Sequence, residues 1–137
     1  MVANHSLNPK AFDYIENFAK AFLNFCEITG EAKGGYESQF ALDCANGVGF
    51  FAIDGVLNFV SQFIQPTLLN TKVESKKLVN YECGAEYVHK DVHYPNEYDI
   101  TTSPIKGCSF DGDADRLIYF RRGTNKNEKV EVIDGDK

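Results

Sequence analysis

A short apolar run that passes through a turn into a long apolar helix sets the fold class of this 137-residue chain. Residues 40–42 predict a buried strand, residues 44–47 predict a turn, and residues 48–64 predict a helix that Pro66 ends. A second strand is expected within residues 71–81. Strands that are joined through a helix lie parallel in one sheet, with a right-handed crossover connection. The chain is therefore predicted to be α/β.

The two ends of the chain extend this arrangement. Residues Pro9–Ile28 carry apolar side chains at three-and-four spacing, which predicts a helix with Asn8 as its cap. The other predicted elements are a loop at 29–37, a helical turn at 84–89, a loop at 91–104, a strand at 107–110, and a hairpin formed by 117–121 and 129–133. We predict an α/β domain with a three-layer or near three-layer mixed sheet, in which parallel strands have crossover helices and the C-terminal hairpin is antiparallel.

Charge and cysteine content narrow the range of functions. The chain has 14 basic and 20 acidic residues, a net charge of −6, which argues against a general binder of nucleic acid or anionic membranes. No apolar run is long enough for a membrane span, and the first residues do not form a secretory signal. The cysteines are spread singly, which is typical of a reduced protein, and we expect a cytoplasmic location. They are Cys26, Cys44, Cys83 and Cys108.

An acidic loop carries the strongest chemical signal in the chain. Asp111, Asp113 and Asp115 alternate with two small residues, so their carboxylates can turn toward one point. At about 5 Å and an effective dielectric constant near 20, each pair of carboxylates repels by roughly 3 kcal/mol, which a cation would offset. Oxygen ligands suit Mg²⁺ or Ca²⁺ rather than zinc. The adjoining Arg116 could hold a phosphate through a bidentate contact, and metal with guanidinium is the combination that phosphoryl transfer needs.

The acidic loop has three alternative interpretations. An EF-hand requires glycine and glutamate where Arg116 and Arg122 stand, and it requires flanking helices where the pattern predicts strands. The loop could instead be the Asp-x-Asp nucleophile loop of haloacid-dehalogenase-type phosphatases. That loop follows a stronger apolar strand than residues 107–110, which argues against this interpretation. A solvated acidic turn without a ligand is the simplest alternative, and it remains open at this point.

Several segments resemble the α-D-phosphohexomutase superfamily. Residues 109–116, Ser-Phe-Asp-Gly-Asp-Ala-Asp-Arg, are similar to the magnesium loop of that superfamily, and residues 43–49 resemble the strand, turn and helix that open its second domain. Residues 83–88 and 133–137 also fit. The Asp-Cys-Ala-Asn-Gly and Cys-Gly-Ala stretches favour the phosphoacetylglucosamine mutase branch, and the resemblance runs from about residue 11 to the last residue.

The resemblance implies an isomerase that moves phosphate between the 6- and 1-positions of N-acetylglucosamine phosphate through a phosphoserine and a bisphosphorylated sugar. It implies Asp111, Asp113 and Asp115 as Mg²⁺ ligands and Arg116 as the catalytic cation near the transferring phosphate. The implied partners are a phosphorylated amino sugar and the sibling domains of the same chain, within amino-sugar nucleotide synthesis. Residues 9–133 would be the metal-binding domain, with a tail at 1–8 and a shortened lead into the next domain at 134–137.

Other motifs of the family have no counterpart in this chain. The Ser-His-Asn loop that carries the nucleophile, the sugar-reading Glu-x-Ser-Gly loop and the phosphate-binding loop of the last domain are missing. We therefore expect one domain of four, an excised or truncated piece that is inactive by itself. Two alternatives stay open: the same domain of a phosphoglucomutase or phosphomannomutase, and a non-catalytic module that binds Mg²⁺ or Ca²⁺.

Four further features have both a functional and a structural interpretation. The Asn46-Gly47 turn could present N–H groups to an anion or could be a tight turn only. Asp43 could support the acidic loop from a neighbouring strand end, or it could cap the following helix. His89 and His93 have a spacing that suits a metal on a helix, although a surface location is the simpler interpretation. The charge pairs 76–77 and 121–122 are most simply solvated, with Arg122 as an alternative cleft residue.

Overall fold

A mixed sheet forms the frame that carries the acidic loop. The computed structural model describes residues 9–28, 37–123 and 129–133. The elements are α1 (Pro9–Ile28), β1 (Gln39–Asp43), α2 (Gly49–Val60), β2 (Gln65–Leu69), β3 (Lys106–Phe110), β4 (Leu117–Arg122) and β5 (Val130–Ile133). Within the described residues the five strands form one sheet in the order β2-β1-β3-β4-β5, in which β2, β1 and β3 are parallel and the pairs β3–β4 and β4–β5 are antiparallel. The predicted α/β class, with parallel strands and an antiparallel C-terminal hairpin, is confirmed.

The chain divides into two compact units, and the first is helical. It contains α1 together with Phe51–Ile64, which includes most of α2. The apolar stripe of α1 buries Ile15 and Ala19. Gly55 of α2 lies against Ile15, so a Cβ at this glycine would stand 3.3 Å from Ile15 Cγ2. Phe22 and Phe63 meet edge to face with ring centroids 6.3 Å apart. Burial of these apolar side chains is what stabilises the unit.

The second unit contains the sheet, and its core lies against the hairpin. Phe120, Val88 and Val130 are buried together, and Tyr94 and Tyr98 stack at 4.8 Å beside them. Alternation along β4 turns Phe120 inward and leaves Tyr119 half exposed. A 3₁₀ turn at Lys76–Leu78 and a π-helical turn at Tyr87–Asp91 lie within the long connection from β2 to β3. The helical turn predicted at 84–89 is therefore present, shifted toward the C-terminus.

The prediction for the second strand was wrong. β2 is Gln65–Leu69, and the predicted segment 71–81 contains turns and the 3₁₀ helix instead. Pro66 lies inside β2, in register with Phe40 of β1, although the sequence pattern treated it only as a helix stop. A proline is tolerated there because β2 is an edge strand of the sheet, where one side of the backbone needs no ladder partner. α2 accordingly ends at Val60 rather than at residue 64.

The remaining boundaries agree with the sequence within one or two residues. α1 has its predicted bounds, and β1, β3, β4 and β5 lie where the apolar patterns placed them. Some predicted features lie outside the described residues. They are the Asn8 cap, residues 29–36 of the predicted loop, the hairpin linker at 124–128 and the proposed segments 1–8 and 134–137. In the described part of the chain, no helix combines the length and the apolar character required to cross a membrane.

Candidate metal centre

The acidic loop brings its carboxylates together where β3 ends. Asp111 follows β3 directly, and carboxylate oxygens of Asp111, Asp113 and Asp115 all lie within 4.8 Å of one another. Asp111 is 2% exposed, whereas the other two face solvent. The loop closes through a hydrogen bond from the Ala114 N–H to the Asp111 carbonyl at 3.0 Å, and Ala114 adopts a left-handed backbone with φ of 61°. The convergence predicted from the spacing is therefore present.

Arg116 binds the buried member of this trio. Its Nε donates to Asp111 Oδ2 at 2.6 Å, its backbone N–H donates to Asp111 Oδ1 at 3.2 Å, and its Nε lies 3.7 Å from Asp115 Oδ1. Burial raises the pKa of Asp111, but the hydrogen bonds and the charge of Arg116 outweigh it and hold that pKa below its usual range. The guanidinium thus offsets part of the negative charge of the loop.

Asp115 shows the electrostatic repulsion within the trio in its pKa. A hydrogen bond shared with Asp111, followed by the charges of Asp111 and Asp113, raises the pKa of Asp115 above its usual range. A raised pKa means that adding a third negative charge beside two others is unfavourable. A cation placed among the three carboxylates would reverse that shift. The loop therefore has the electrostatic character of a cation site.

Glu86 joins the site from a different segment, and the sequence reasoning missed this contact. It lies just before the π-helical turn, and its Oε2 is 3.6 Å from Arg116 Nη2. Its other oxygen pairs with Lys90 one helical turn later. Glu86 and Asp111 thus both contact the guanidinium of Arg116, with Asp111 the closer of the two. The sequence does not indicate this contact, because no local pattern shows that residue 86 meets residue 116.

The second residue of the loop is held by close backbone contacts. The Val48 N–H, just before α2, donates to the Gly112 carbonyl at 3.0 Å. A Cβ on Gly47 would stand 2.2 Å from the Gly112 oxygen, and a Cβ on Gly112 would stand 2.4 Å from Val79 Cγ1 and 2.9 Å from Asn80 Nδ2. Position 47 therefore requires glycine, because the clash is with backbone, and Gly112 packs tightly against two side chains. The turn before α2 and the loop after β3 fit against each other.

The Asn46-Gly47 turn uses its own N–H groups. The Asn46 N–H donates to the Asn70 carbonyl at 2.7 Å, and the Gly47 N–H donates to the Cys44 carbonyl at 2.8 Å. The Asn46 side chain bonds Leu78 and Lys72 through their backbones. These groups are engaged within the protein, so the tight-turn interpretation is favoured over an anion site.

Asp43 supports the neighbouring strand and does not cap the helix. It is fully buried, and its carboxylate accepts from Ala45 N and from Ser109 Oγ on β3. α2 begins at Gly49, six positions farther along the chain than Asp43. Of the two interpretations left open by the sequence, the structure favours support of the strand that leads into the acidic loop.

The histidine pair and Arg122 lie apart from this cluster. His93 Nδ1 lies 2.6 Å from the Asp91 carbonyl, and its ring packs near Tyr87. Across the described ranges, the group of three or more potential metal ligands that comes together is the aspartate trio, and it includes neither His89 nor His93. Arg122 donates through Nη1 to the Ile100 carbonyl and so fastens the long loop to β4.

The donor set fits a hard divalent cation. Three carboxylates on a short loop supply only oxygen, which suits Mg²⁺ or Ca²⁺ and excludes the thiolate or imidazole set of a typical structural zinc site. The loop joins two antiparallel strands, β3 and β4, rather than two helices, so it is not an EF-hand. One buried carboxylate, two exposed carboxylates and an exposed face leave room for further oxygen ligands from solvent or phosphate.

Comparison with known proteins identifies relatives of most of the chain. Residues 8–118 match the family model described as phosphoacetylglucosamine mutase AMG1, domain II. A phosphoacetylglucosamine mutase of Schizosaccharomyces pombe is 38% identical over 101 residues, covering 73% of this chain and 19% of that protein. The human phosphoacetylglucosamine mutase is 33% identical over 126 residues, covering 90% of this chain and 22% of that protein.

Solved structures of mutases from this superfamily also resemble the fold of this chain. An N-acetylglucosamine-phosphate mutase of the alpha-D-phosphohexomutase superfamily, in its substrate complex, superimposes with a TM-score of 0.74 at 31% identity, covering 90% of this chain and 22% of that one. The Aspergillus fumigatus N-acetylphosphoglucosamine mutase in complex with GlcNAc-6P and magnesium gives 0.72 at 27% identity, covering 90% and 23%. The chain thus spans about a fifth of the length of the relatives that it matches.

Proposed function

The chain belongs to the phosphoacetylglucosamine mutase family, in which it corresponds to domain II, and we propose that it serves as the metal-binding domain of such a mutase. The proposed domain comprises residues 9–133. The parent enzyme would interconvert N-acetylglucosamine 6-phosphate and 1-phosphate, through a phosphoserine and a bisphosphorylated sugar. The observation that carries the proposal is the convergence of the three carboxylates beside Arg116 at the end of β3.

The proposal assigns a role to each charged residue of the loop. Asp111, Asp113 and Asp115 would hold Mg²⁺, with Asp111 fixed by burial and by Arg116. When bound, the ion would supply positive charge that stabilises a phosphoryl group during its transfer. The Arg116 side chain is 55% exposed, so donors that do not bind Asp111 remain available to orient a phosphate oxygen. The loop would therefore bind and orient the phosphate of a phosphorylated amino sugar.

By itself the 137-residue chain should not catalyse the reaction. It matches about a fifth of the length of its relatives, and it contains no Ser-His-Asn sequence to provide a phosphoserine. The nucleophile and the sugar-reading residues would come from sibling domains of the parent protein. The inactivity of the chain alone can be checked with N-acetylglucosamine 6-phosphate, and turnover by the isolated chain would contradict this assignment.

We also propose a cytoplasmic location. Cys44, Cys83 and Cys108 are buried thiols, and burial, as the largest cause, raises the pKa of each to about 12. Thiols in this form are inert, and buried unpaired cysteines are typical of a reducing compartment.

The ligand assignment is tested by metal titration of the chain. Asp113→Asn should weaken Mg²⁺ binding in titration calorimetry, because it removes one charged ligand without adding bulk. Asp54→Asn is the matched control, since it makes the same charge change at an exposed position of α2. Equal affinity in the Asp113 variant and the wild type would contradict the metal site.

The role of Arg116 is tested in the full-length parent. Arg116→Ala should lower turnover by about 100-fold, as expected for loss of an electrostatic contact to the reacting phosphate. Arg121→Ala is the control, because Arg121 pairs with Glu131 across the hairpin at 2.6 Å and lies outside the loop. Assays with glucose 6-phosphate beside N-acetylglucosamine 6-phosphate also distinguish this branch from the phosphoglucomutases. Unchanged turnover in Arg116→Ala would remove the residue from the mechanism.

A further inference from the structure

A buried carboxylate lies at the point where the three parallel strands end. Asp43 is the last residue of β1, and it is in register with Leu69 at the end of β2 and with Ser109 of β3. The carboxyl ends of parallel strands are the edge at which α/β proteins place their sites. Asp43 has no exposed surface, so it does not contact solvent or a ligand directly. Any role that it has must act through its neighbours.

Four donors from four segments converge on this carboxylate. Oδ1 accepts from Ala45 N at 2.9 Å and from Asn70 Nδ2 at 2.8 Å. Oδ2 accepts from Gly84 N at 2.7 Å and from Ser109 Oγ. The donors belong to the turn before α2, the residue after β2, the segment that leads to Glu86, and β3. Asp43 therefore joins four segments, one of which is the strand that leads into the acidic loop.

The partners of Asp43 are neutral, in contrast to those of Asp111. In the part of the chain that the structure describes, the hydrogen bonds of Asp43 come from two backbone N–H groups, an amide and a hydroxyl. Burial, the largest influence, raises the pKa of Asp43 despite these four donors. Burying a carboxylate without a cationic partner costs free energy, and its hydrogen bonds must offset that cost. The four donors therefore hold Asp43 in one defined position.

The two partners of Oδ2 stand directly beside the start of the acidic loop. Ser109 lies on β3, two residues before Asp111. Gly84, with φ of 91°, lies against Phe110, whose carbonyl oxygen is 3.4 Å from the position of a Gly84 Cβ. We propose that Asp43 is a positioning residue for the acidic loop: by holding Ser109 and Gly84, it fixes the direction in which Asp111 leaves β3 toward Asp113 and Asp115. This inference rests on the proposed metal site and deepens it.

Asparagine at position 43 would have nearly the shape of aspartate, but its side chain could not accept hydrogen bonds on both sides. An amide offers one accepting oxygen and one NH₂ group, whereas the site presents donors on both sides. With the NH₂ group on the Oδ2 side, Ser109 can turn its hydroxyl to accept, but the Gly84 N–H then faces another donor. With the NH₂ group on the Oδ1 side, it faces the Ala45 N–H. Asp43→Asn therefore loosens at least one anchor without creating a cavity.

The experiment measures metal affinity and loop mobility separately in the 137-residue chain. Mn²⁺ as its chloride is titrated and followed by electron paramagnetic resonance, and hydrogen exchange of residues 109–116 is measured without added metal. The variants are Asp43→Asn, Ser109→Ala, Asp113→Asn and Val130→Ala. Val130 is buried against Phe120 in the same unit, so Val130→Ala lowers the melting temperature without touching the loop. All measurements are made well below the melting temperature of each variant.

The expected result is specific to the Asp43 anchor. Asp43→Asn should weaken Mn²⁺ binding about tenfold, as for other groups that orient metal ligands, and should speed exchange in residues 109–116. Ser109→Ala should change both in the same direction by less, and it provides the test if Asp43→Asn does not fold. Val130→Ala should change neither quantity.

Three outcomes distinguish the failures. Wild-type affinity and exchange in Ser109→Ala, and in Asp43→Asn where it folds, would overturn the inference, because Ser109→Ala removes a partner of Oδ2 directly. Equal changes in Val130→Ala would overturn it too, because they would reflect stability alone. If the wild type and Asp113→Asn bind Mn²⁺ equally, the proposed metal site falls, while faster exchange confined to the Asp43 and Ser109 variants still supports the anchoring of the loop.

Discussion

Substitution of Gly47 by alanine should separate the acidic loop from the turn before α2. A Cβ at position 47 would lie 2.2 Å from the Gly112 oxygen, 2.6 Å from its Cα and 2.7 Å from its carbonyl carbon. All three atoms are backbone, so no side chain can rotate away. Ordinary contacts of this kind begin near 3.4 Å, so Gly112 must retreat by about 1 Å. The strain costs about 1–3 kcal/mol, and loss of the Val48 N–H bond to Gly112 adds about 1 kcal/mol.

The expected loss in the free energy of unfolding is therefore about 2–4 kcal/mol for Gly47→Ala. Urea denaturation followed by circular dichroism measures it. Gly55→Ala is the matched control, because its new Cβ would stand 3.3 and 3.4 Å from two methyl carbons of the Ile15 side chain. In the interior of a helix such as α2, alanine is also more stabilising than glycine by about 1 kcal/mol. The control should be as stable as the wild type, or more stable.

Metal affinity gives a second readout of the same contact. Gly112 lies between Asp111 and Asp113, so its displacement should move both ligands and weaken Mn²⁺ binding in Gly47→Ala but not in Gly55→Ala. If Gly47→Ala unfolds at the wild-type urea concentration and binds Mn²⁺ with unchanged affinity, the close approach of the two glycines is wrong. The argument that the turn supports the loop would fail with it.

Two further predictions concern the fold around the site. Hydrogen bonds from Lys72 and the Asn70 N–H hold the pKa of Glu97 below its usual range, so Glu97→Gln should lose up to about 1 kcal/mol at pH 7. That difference should be fully present above pH 4.5, the ordinary value for this group, and should vanish as the pH falls through the lowered pKa, in urea titrations at several pH values. Phe120→Ala should cost about 3–5 kcal/mol because Phe120 is 1% exposed, whereas Tyr119→Ala, on the opposite face, should cost about 0.5 kcal/mol. Equal unfolding midpoints for these two variants would contradict the assigned core.

The elements that were predicted correctly are those with a strong local pattern. α1 follows from the spacing of Ile15, Ala19 and Phe22, and the hairpin strands follow from their alternation. β2 lacks such a pattern in its sequence, because Gln65 and Pro66 begin it with residues that are uncommon in strands. Its pairing with β1 is a long-range interaction that no window of the sequence contains.

The site shows the same division between local and distant information. The aspartate trio is contained in five consecutive residues, so its spacing alone indicated convergence. Glu86 and Arg116 lie thirty residues apart, and their contact depends on how the π-helical turn meets the loop. Three of the four donors to Asp43 come from residues 70, 84 and 109, which only the fold brings to it. Sequence reasoning could leave Asp43 between two interpretations, but it could not choose, because the choice depends on the neighbours of β1.

The balance of charge around Arg116 connects this geometry to the proposed function. Among the described groups in contact there, Asp111, Asp113, Asp115 and Glu86 are negative, and Arg116 and Lys90 are positive, which leaves a net charge of −2. The raised pKa of Asp115 has its cause in this excess, through Asp111 and Asp113. A divalent cation would bring the cluster to neutrality, whereas a monovalent ion would not. Because Asp111 and Glu86 already contact the guanidinium, a phosphate would meet donors that need little further ordering, and the net negative charge that would repel it would be removed only once the divalent ion is present.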